Sequence, residues 1–282
     1  MSTTTATHAA ATAPARAPRP AYQVTGRRVL RSEWAKLWSL RSTWITLGLG
    51  LLFLVAFGLI AAGQYKAVIN SGQHVDPEFA ASSAVSLSLF GTNFAQLALG
   101  VLGVLVTAGE YTTGTIRSTL TAVPRRLPVL WSKAAVLGGA CLVISTVGAF
   151  ITFLVASSIV SGTPAAMTFS DAGVLRSLLG AGLYLGLVGV IGTALGALLR
   201  SVAGGISVLV GVLMLIPGLI SLLPGTLRQD IWPYLPSNAG ESVFVLHRDA
   251  TALSPAAGFA VFLGWTLLAL AGAAYRLMRT DA

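Results

Sequence analysis

The chain has 282 residues, of which 55% are hydrophobic and only 10% are charged, whereas a soluble domain carries about 25% charged residues. This deficit excludes an ordinary soluble globular domain. The net charge is +9, and the basic residues lie at the ends of long apolar segments. Membrane topology explains this placement, so nucleic acid is not an expected partner.

Residues 1–24 begin the chain with a segment rich in Ala, Thr and Pro. It lacks the apolar stretch of a signal peptide, and its composition is typical of a disordered tail. We therefore expect a disordered cytoplasmic tail ahead of the first structured element.

Residues 27–41 form a predicted amphipathic helix ahead of the first membrane span. Leu30, Trp34, Leu37 and Trp38 recur at helical spacing, and cations occupy most of the remaining surface. Tryptophan concentrates at headgroup depth and cations attract anionic lipid, so this helix is expected to lie along the inner membrane surface. Its candidate functional residues are Arg31, Glu33, Trp34, Lys36 and Trp38.

Six long intervals without Asp, Glu, Lys or Arg follow, and the shortest contains 23 residues. About 20 apolar residues in a helix cross the hydrocarbon core, whereas a β-barrel would show alternating polarity. The predicted fold is therefore all-α, with a six-helix transmembrane domain over residues 25–282. The expected spans are 43–63, 86–108, 134–160, 177–199, 203–223 and 257–275.

The basic residues predict the orientation of these spans. Fourteen of the 18 Lys and Arg residues lie on one side and four lie on the other. Because basic residues accumulate on the cytoplasmic side, both termini are expected to be cytoplasmic. The outer segment 224–257 is too long for a tight connection, so we expect short helices within it.

Two features within the spans leave alternatives open. Asn93 and Gln96 should face protein or a pathway, since unpaired amides are costly in lipid; they either bond between helices or contact substrate. A stripe of small residues in span four favours close helix packing, either within the chain or with a second copy. The stripe consists of Gly182, Gly186, Gly189, Thr193 and Gly196.

The residues of common catalytic and metal sites are absent or scattered. None of the three lysines follows a glycine, which excludes a P-loop. The three histidines lie outside the predicted spans, and Cys141 is the single cysteine. His74 with Asp76 and Glu78 could bind a metal, although a solvated loop is the simpler interpretation. We therefore predict no enzyme, no cofactor and no metal site in this chain.

The inner segment 109–133 joins spans two and three. Thr112 or its neighbour can cap a short helix in which Ile116 and Leu120 share a face, and Pro124 ends that helix. This pattern favours a surface helix suited either to lipid or to a groove on a partner protein.

This segment resembles the corresponding part of the ABC-2 family of bacterial ABC-transporter permeases. In that family, a Glu ending the second span leads into a Gly-Thr pair, a Leu-containing helix, a Pro, a basic residue and a Lys. This chain matches that order with Glu110, Gly114, Thr115, Leu120, Pro124, Arg126 and Lys133. The opening RRVLRSEWAKLWSLRSTW is similar to the family's elbow helix, and YLPSNAG at 234–240 to its segment before span six. The chain departs from the pattern at Tyr111 and Ser132.

The resemblance covers nearly all of residues 25–280 and implies the permease subunit of an ABC exporter in the bacterial cytoplasmic membrane. Such a subunit pairs with a second permease copy, and each half docks on one of two cytoplasmic ATPase subunits. The helix after span two would then couple ATP hydrolysis to transport. The residues implied in ATPase coupling are Glu110, Gly114, Thr115, Ile116, Arg117, Leu120, Pro124 and Arg126.

Within this interpretation, Glu33 and Glu110 are candidates for charge contacts at the inner interface, with solvation at the headgroups as the alternative. The competing functions are an ATP-independent channel or secondary carrier, and a sensor or scaffold without transport. A carrier normally needs titratable residues or broken helices within its spans, whereas only Pro217 interrupts a span here. Amphiphilic drugs, lipids, peptides and glycoconjugates all remain candidate cargoes.

Overall fold

The computed structural model of the chain describes residues 25–72, 76–123, 126–247 and 252–279. The predicted tail 1–24 lies outside these residues, as do His74 and Pro124. The side chains of Arg117 and Leu120 are also outside the description, although their backbone is helical.

The protein is an all-α polytopic membrane protein, and its described residues contain no strand. Six helical segments are long and apolar enough to cross a membrane, as the charge-free intervals predicted. They are formed by α2 (Arg41–Asn70), α4 (Ala84–Leu89) with α5 (Thr92–Thr112), α7 (Leu127–Ile159), α8 (Val174–Leu199), α9 (Val202–Val210) with α10 (Ile216–Ile220), and α13 (Pro255–Arg279).

Among the described residues, five further α-helices lie between or before the spans. The predicted interfacial helix is α1 (Gly26–Ser39), and α3 (Pro77–Ala80) follows the first span. The inner segment holds α6 (Thr115–Ala122), and the long outer segment holds α11 (Gly225–Ile231) and α12 (Pro236–Glu241). Short helices were expected in that outer segment, and they are present. We refer to the end of the bundle that carries α1 and α6 as the α1 end.

Five of the six spans are longer than the apolar pattern predicted, and α2 and α7 show why. α2 continues seven residues past position 63 to Asn70, because polar residues beyond the hydrocarbon do not by themselves end a helix. α7 begins at Leu127 instead of residue 134, since Pro128 is favourable in the first turn of a helix. Lys133 therefore lies within α7, in its second turn, and not in a connecting segment.

The second and fifth spans are interrupted, which corrects the expectation that Pro217 alone breaks a span. Between α4 and α5 the helix breaks at Phe90 and Gly91, where a Cβ on Gly91 would overlap the backbone of Leu54. In the fifth span, α9 and α10 are separated by the π-helical turn Gly211–Leu215. Interrupted helices are a feature that carriers normally have, so helix continuity no longer counts against a carrier.

The fourth span is the centre of the bundle. α8 packs against α5, α7 and α13, and most of it is buried. A Cβ on Gly182 would meet Thr146 of α7, and one on Gly196 would meet Val104 and Thr107 of α5. The stripe of small residues thus serves packing within the chain, which was the simpler of its two interpretations.

Candidate functional site

The helix α1 presents two different faces at the α1 end. Val29, Glu33 and Leu37 are spaced four residues apart and are buried against the bundle. Trp34 and Trp38 lie on the adjacent face and are about half exposed, where the predicted lipid contact would place them. Arg31 is also exposed. The sequence pattern identified an amphipathic helix, but the face that contacts protein carries a carboxylate.

Glu33 takes part in a ring of four alternating charges that joins three helices. Lys133 Nζ of α7 lies 2.7 Å from Glu33 Oε2 and 2.8 Å from Glu110 Oε1 of α5. Lys36 Nζ lies 2.8 Å from Glu33 Oε1 and 3.3 Å from Glu110 Oε1. Each lysine therefore bridges both carboxylates, and the formal charges of the ring cancel.

Much of this ring is removed from water. The side chain of Glu33 is 3% exposed and that of Lys133 is 4% exposed, whereas Lys36 is 38% exposed. Burial alone would raise the pKa of Glu33, but the ammonium groups of Lys133 and Lys36 outweigh it, so the pKa is lowered from 4.5. The carboxylates favour the charged form of Lys36 in the same way, and its pKa is raised despite partial burial.

A buried pair of this kind depends strongly on both partners. Removing one member of a buried pair costs about 3–5 kcal/mol, because the remaining charge is left uncompensated in a poor solvent. The ring therefore constrains α1, α5 and α7 to one relative arrangement. The headgroup solvation considered for Glu33 and Glu110 does not describe these side chains, which bond to lysines.

The ring extends to α6 through a hydroxyl group. Lys36 Nζ donates to Thr119 Oγ1 at 3.3 Å, and Thr115 Oγ1 donates to the Glu110 carbonyl oxygen at 3.4 Å. α6 begins after Gly114, whose φ of 74° is in the left-handed region, and no side chain caps it. The predicted capping by a threonine is therefore wrong, because a glycine turn separates α5 from α6.

The predicted docking residues of α6 have different surroundings. Ile116 is only 6% exposed, so it packs within the chain, and its part in a docking surface stays a prediction. The hydroxyls of Thr115, Ser118 and Thr121 are exposed; Ser118 and Thr121 donate to carbonyl oxygens within α6, and Thr115 donates to the Glu110 carbonyl oxygen in the last turn of α5. The outward surface of this helix is therefore polar where the side chains are described.

Arg126 lies at the start of α7 and bonds across the α1 end. Its guanidinium Nη1 donates to the carbonyl oxygen of Leu277 near the end of α13, at 3.1 Å. Cations are favourable at a helix C-terminus, where carbonyl groups lack partners within the helix. Arg126 thus connects the end of the α6 segment to the last span, and a direct part in docking stays a prediction.

The two amides predicted inside span two are separated by burial. Gln96 is 5% exposed, accepts a hydrogen bond from the hydroxyl of Tyr184 in α8 and donates to the Asn93 carbonyl oxygen. Asn93 is exposed on the chain and donates to the Phe90 carbonyl oxygen. Gln96 therefore makes an interhelical bond, while a pathway role for either residue stays a prediction.

A cavity of about 570 Å³ lies beside the ring at the α1 end. It is bounded by α1, the start of α2, α5, α6 and α7. Glu110 lines it, and Glu110 Oε2 is buried with no hydrogen-bond donor among the described residues. The cavity therefore joins an apolar space to an acceptor that the described chain leaves without a partner.

Lys133 is the member of this site that sequence reasoning missed as a functional residue. From the sequence, it is identified only as the last residue of the family pattern, just before span three. A buried carboxylate requires a cation, and Lys133 stands one turn inside an otherwise charge-free helix, which is the signal that could have indicated it.

No protein-family model and no curated protein matches this chain.

Proposed function

We propose that this chain is the transmembrane permease subunit of an ATP-driven exporter of the ABC-2 type, with ATP hydrolysis supplied by a separate subunit. The observation that carries the proposal is the ring formed by Glu33, Lys36, Glu110 and Lys133. Through Thr119 it joins the short helix α6 to an interfacial helix and two spans. A force applied to α6 would therefore reach the transmembrane helices through buried ionic contacts.

In the proposed mechanism, the ATPase contacts the outward face of α6. Because Ile116 is buried, we now assign this contact to the exposed side chains around Ser118 and Thr121. Closure of the ATPase would displace α6 together with Lys36, and the ring would transmit the displacement to α5 and α7. The described part of the chain supplies the transmitting contacts, and the partner supplies the chemical energy.

The resemblance in sequence supports the remaining members of the complex. It implies two ATPase subunits and a second permease copy, while the asymmetry of basic residues supports cytoplasmic termini in the bacterial cytoplasmic membrane. The apolar outer faces of the spans suit lipid as well as a second copy. The stripe on α8 is used within the chain, so it offers no contact to that copy.

Co-purification with ATPase activity tests the proposal. The full chain would be extracted from its native membrane in mild detergent, and vanadate-sensitive ATP hydrolysis would be measured in the purified complex. Ser118→Arg should abolish the associated activity, since it places a large cation on the docking face. Ser161→Arg is the matched control, because Ser161 is also exposed and also bonds to a carbonyl three residues earlier.

Two results would contradict the exporter proposal. One is a chain that purifies without any ATPase and still moves cargo in vesicles that contain no nucleotide. The other is equal associated ATPase activity in the Ser118→Arg and Ser161→Arg variants, which would leave α6 without a part in docking.

A secondary carrier is the second candidate, and the interrupted spans favour it. The break at Phe90 and Gly91 and the π-helical turn Gly211–Leu215 are of the kind that carriers use near substrate sites. Transport driven by an ion gradient in nucleotide-free vesicles would support the carrier.

A further inference from the structure

The cavity beside the ring combines an apolar interior with a polar mouth. Its interior is formed by Leu37, Leu102, Val106, Val136 and Leu137, and Leu105 lines it from a more exposed position. Its mouth carries the exposed residues Ser39 and Ser42, and the polar wall is Glu33, Lys36, Glu110 and Lys133. An apolar space with a few convergent polar groups is typical of a small-molecule site.

The polar wall offers a hydrogen-bond acceptor to a ligand. Lys36 already donates to Glu33, Glu110 and Thr119, and Lys133 donates to both carboxylates. Glu110 Oε2, in contrast, has no donor within the described residues. A buried carboxylate oxygen is best satisfied by a charged donor, since such bonds are roughly twice as strong as neutral ones. The complementary headgroup is therefore an ammonium.

The position of the mouth indicates where the ligand comes from. The mouth lies at residues 39–42, between Trp38 and Trp44, whose exposed rings are in tilted contact with centroids 4.1 Å apart. Exposed tryptophans of membrane proteins concentrate at the depth of the lipid headgroups. A ligand entering here has its polar group at that depth and its apolar part toward the interior.

We propose that this cavity binds a phospholipid with an ammonium headgroup from the leaflet that contacts α1. The ammonium donates to Glu110 Oε2, the Ser42 hydroxyl at the mouth donates to the phosphate, and an acyl chain lies along α5 and α7. An anionic headgroup without an amine lacks the charged donor that Glu110 requires. The inference rests on the cavity alone and does not depend on the proposed coupling to an ATPase.

A single glycine allows the cavity to be filled without replacing a residue of the ring. Gly109 lines the cavity, and a Cβ added there meets no atom within 4 Å. Gly109→Leu therefore places an aliphatic side chain in the space assigned to the lipid. Gly139→Leu is the matched control, because Gly139 also has no neighbour within 4 Å and lies exposed on α7 outside the cavity.

Native mass spectrometry tests the inference. The full-length chain, delipidated in detergent, would be titrated with an equimolar mixture of dioleoyl phosphatidylethanolamine and dioleoyl phosphatidylglycerol. We expect one phosphatidylethanolamine to be retained with a preference of about tenfold, as one hydrogen bond to a charged group provides. Gly109→Leu should remove this preference, and Gly139→Leu should keep it.

Equal retention of both lipids by the wild-type chain would overturn the inference, as would retention of neither. Unchanged selectivity in Gly109→Leu would also overturn it, because the lipid would then lie elsewhere. The wild-type preference is measured without any substitution, so the inference can fail even if Gly109→Leu does not fold. Loss of ATPase association, by contrast, has no bearing on it.

Discussion

Lys133 of α7 donates a hydrogen bond of 2.7 Å to the carboxylate of Glu33 in α1, although 100 residues separate them in the chain. The bond attaches a helix that precedes the spans to the first turns of the third span. Both side chains are buried, and Lys133 also contacts Glu110 of the second span. Motion of α1 relative to the bundle therefore requires this contact to break or to move as a unit.

Lys133→Met should destabilise the protein more than Glu33→Gln. Without Lys133, the carboxylates of Glu33 and Glu110 are left with Lys36 alone, and we expect a loss of about 3–5 kcal/mol. Without the charge of Glu33, Lys133 keeps its partner Glu110, so the loss should be smaller. Unfolding in detergent with increasing denaturant measures both.

The control for this comparison is Arg31→Met, since Arg31 is exposed on the same helix as Glu33. Its effect should stay within about 0.5 kcal/mol, as for other surface substitutions. If Lys133→Met were as mild as Arg31→Met, the ring would not contribute to stability.

Stability should fall at acid pH because of Glu33. Its pKa is lowered in the folded protein, so its contribution is present above the unfolded value of 4.5 and is lost as the pH falls through the folded value. Melting temperature should therefore be constant near neutral pH and decrease below about pH 4.5. Glu33→Gln should lose the part of this acid-dependent decrease that comes from Glu33.

The raised pKa of Lys36 has the opposite consequence at alkaline pH. Its contribution is present below 10.5 and is lost as the pH rises through the folded value. Because Lys36 is more than one-third exposed, solvent weakens this effect.

The acid prediction for Glu33 has its own contradicting outcome. If the melting temperature decreased identically at acid pH in wild type and Glu33→Gln, another carboxylate would be responsible.

Tyr184→Phe should destabilise the protein by about 1 kcal/mol, because it leaves the Gln96 side-chain oxygen without its donor from α8. The aromatic contacts of the side chain at position 184 with Phe244 and Phe262 would remain in the variant. Thermal unfolding measures the loss, and the double variant Tyr184→Phe with Gln96→Leu should recover much of it. A double variant whose loss equals the sum of both single losses would argue against the hydrogen bond.

The six spans could be predicted because charge is excluded from hydrocarbon, and α1 because its apolar residues recur at helical spacing; both patterns are strong in a single sequence. The start of α7 could not, because Lys133 ends the charge-free interval and Pro128 suits a turn as well as the first turn of a helix. The burial of Ile116 could not be predicted either, because an apolar residue on a short amphipathic helix suits either its own chain or a partner. The pairing of Glu33 with Lys133 depends on tertiary packing, which periodicity does not contain.

The closest approach of α5 and α8 provides the last prediction. A Cβ on Gly192 of α8 would overlap the carbonyl oxygen of Gly100 in α5, and backbone cannot yield as a flexible side chain can. Gly192→Ala should therefore destabilise the protein by about 1–3 kcal/mol, the usual cost of overpacking. Gly63→Ala is the control, since a Cβ at Gly63 of α2 meets nothing within 4 Å and alanine favours helix. Unfolding in detergent would separate the two variants, and equal stability would mean that α5 and α8 do not pack this closely.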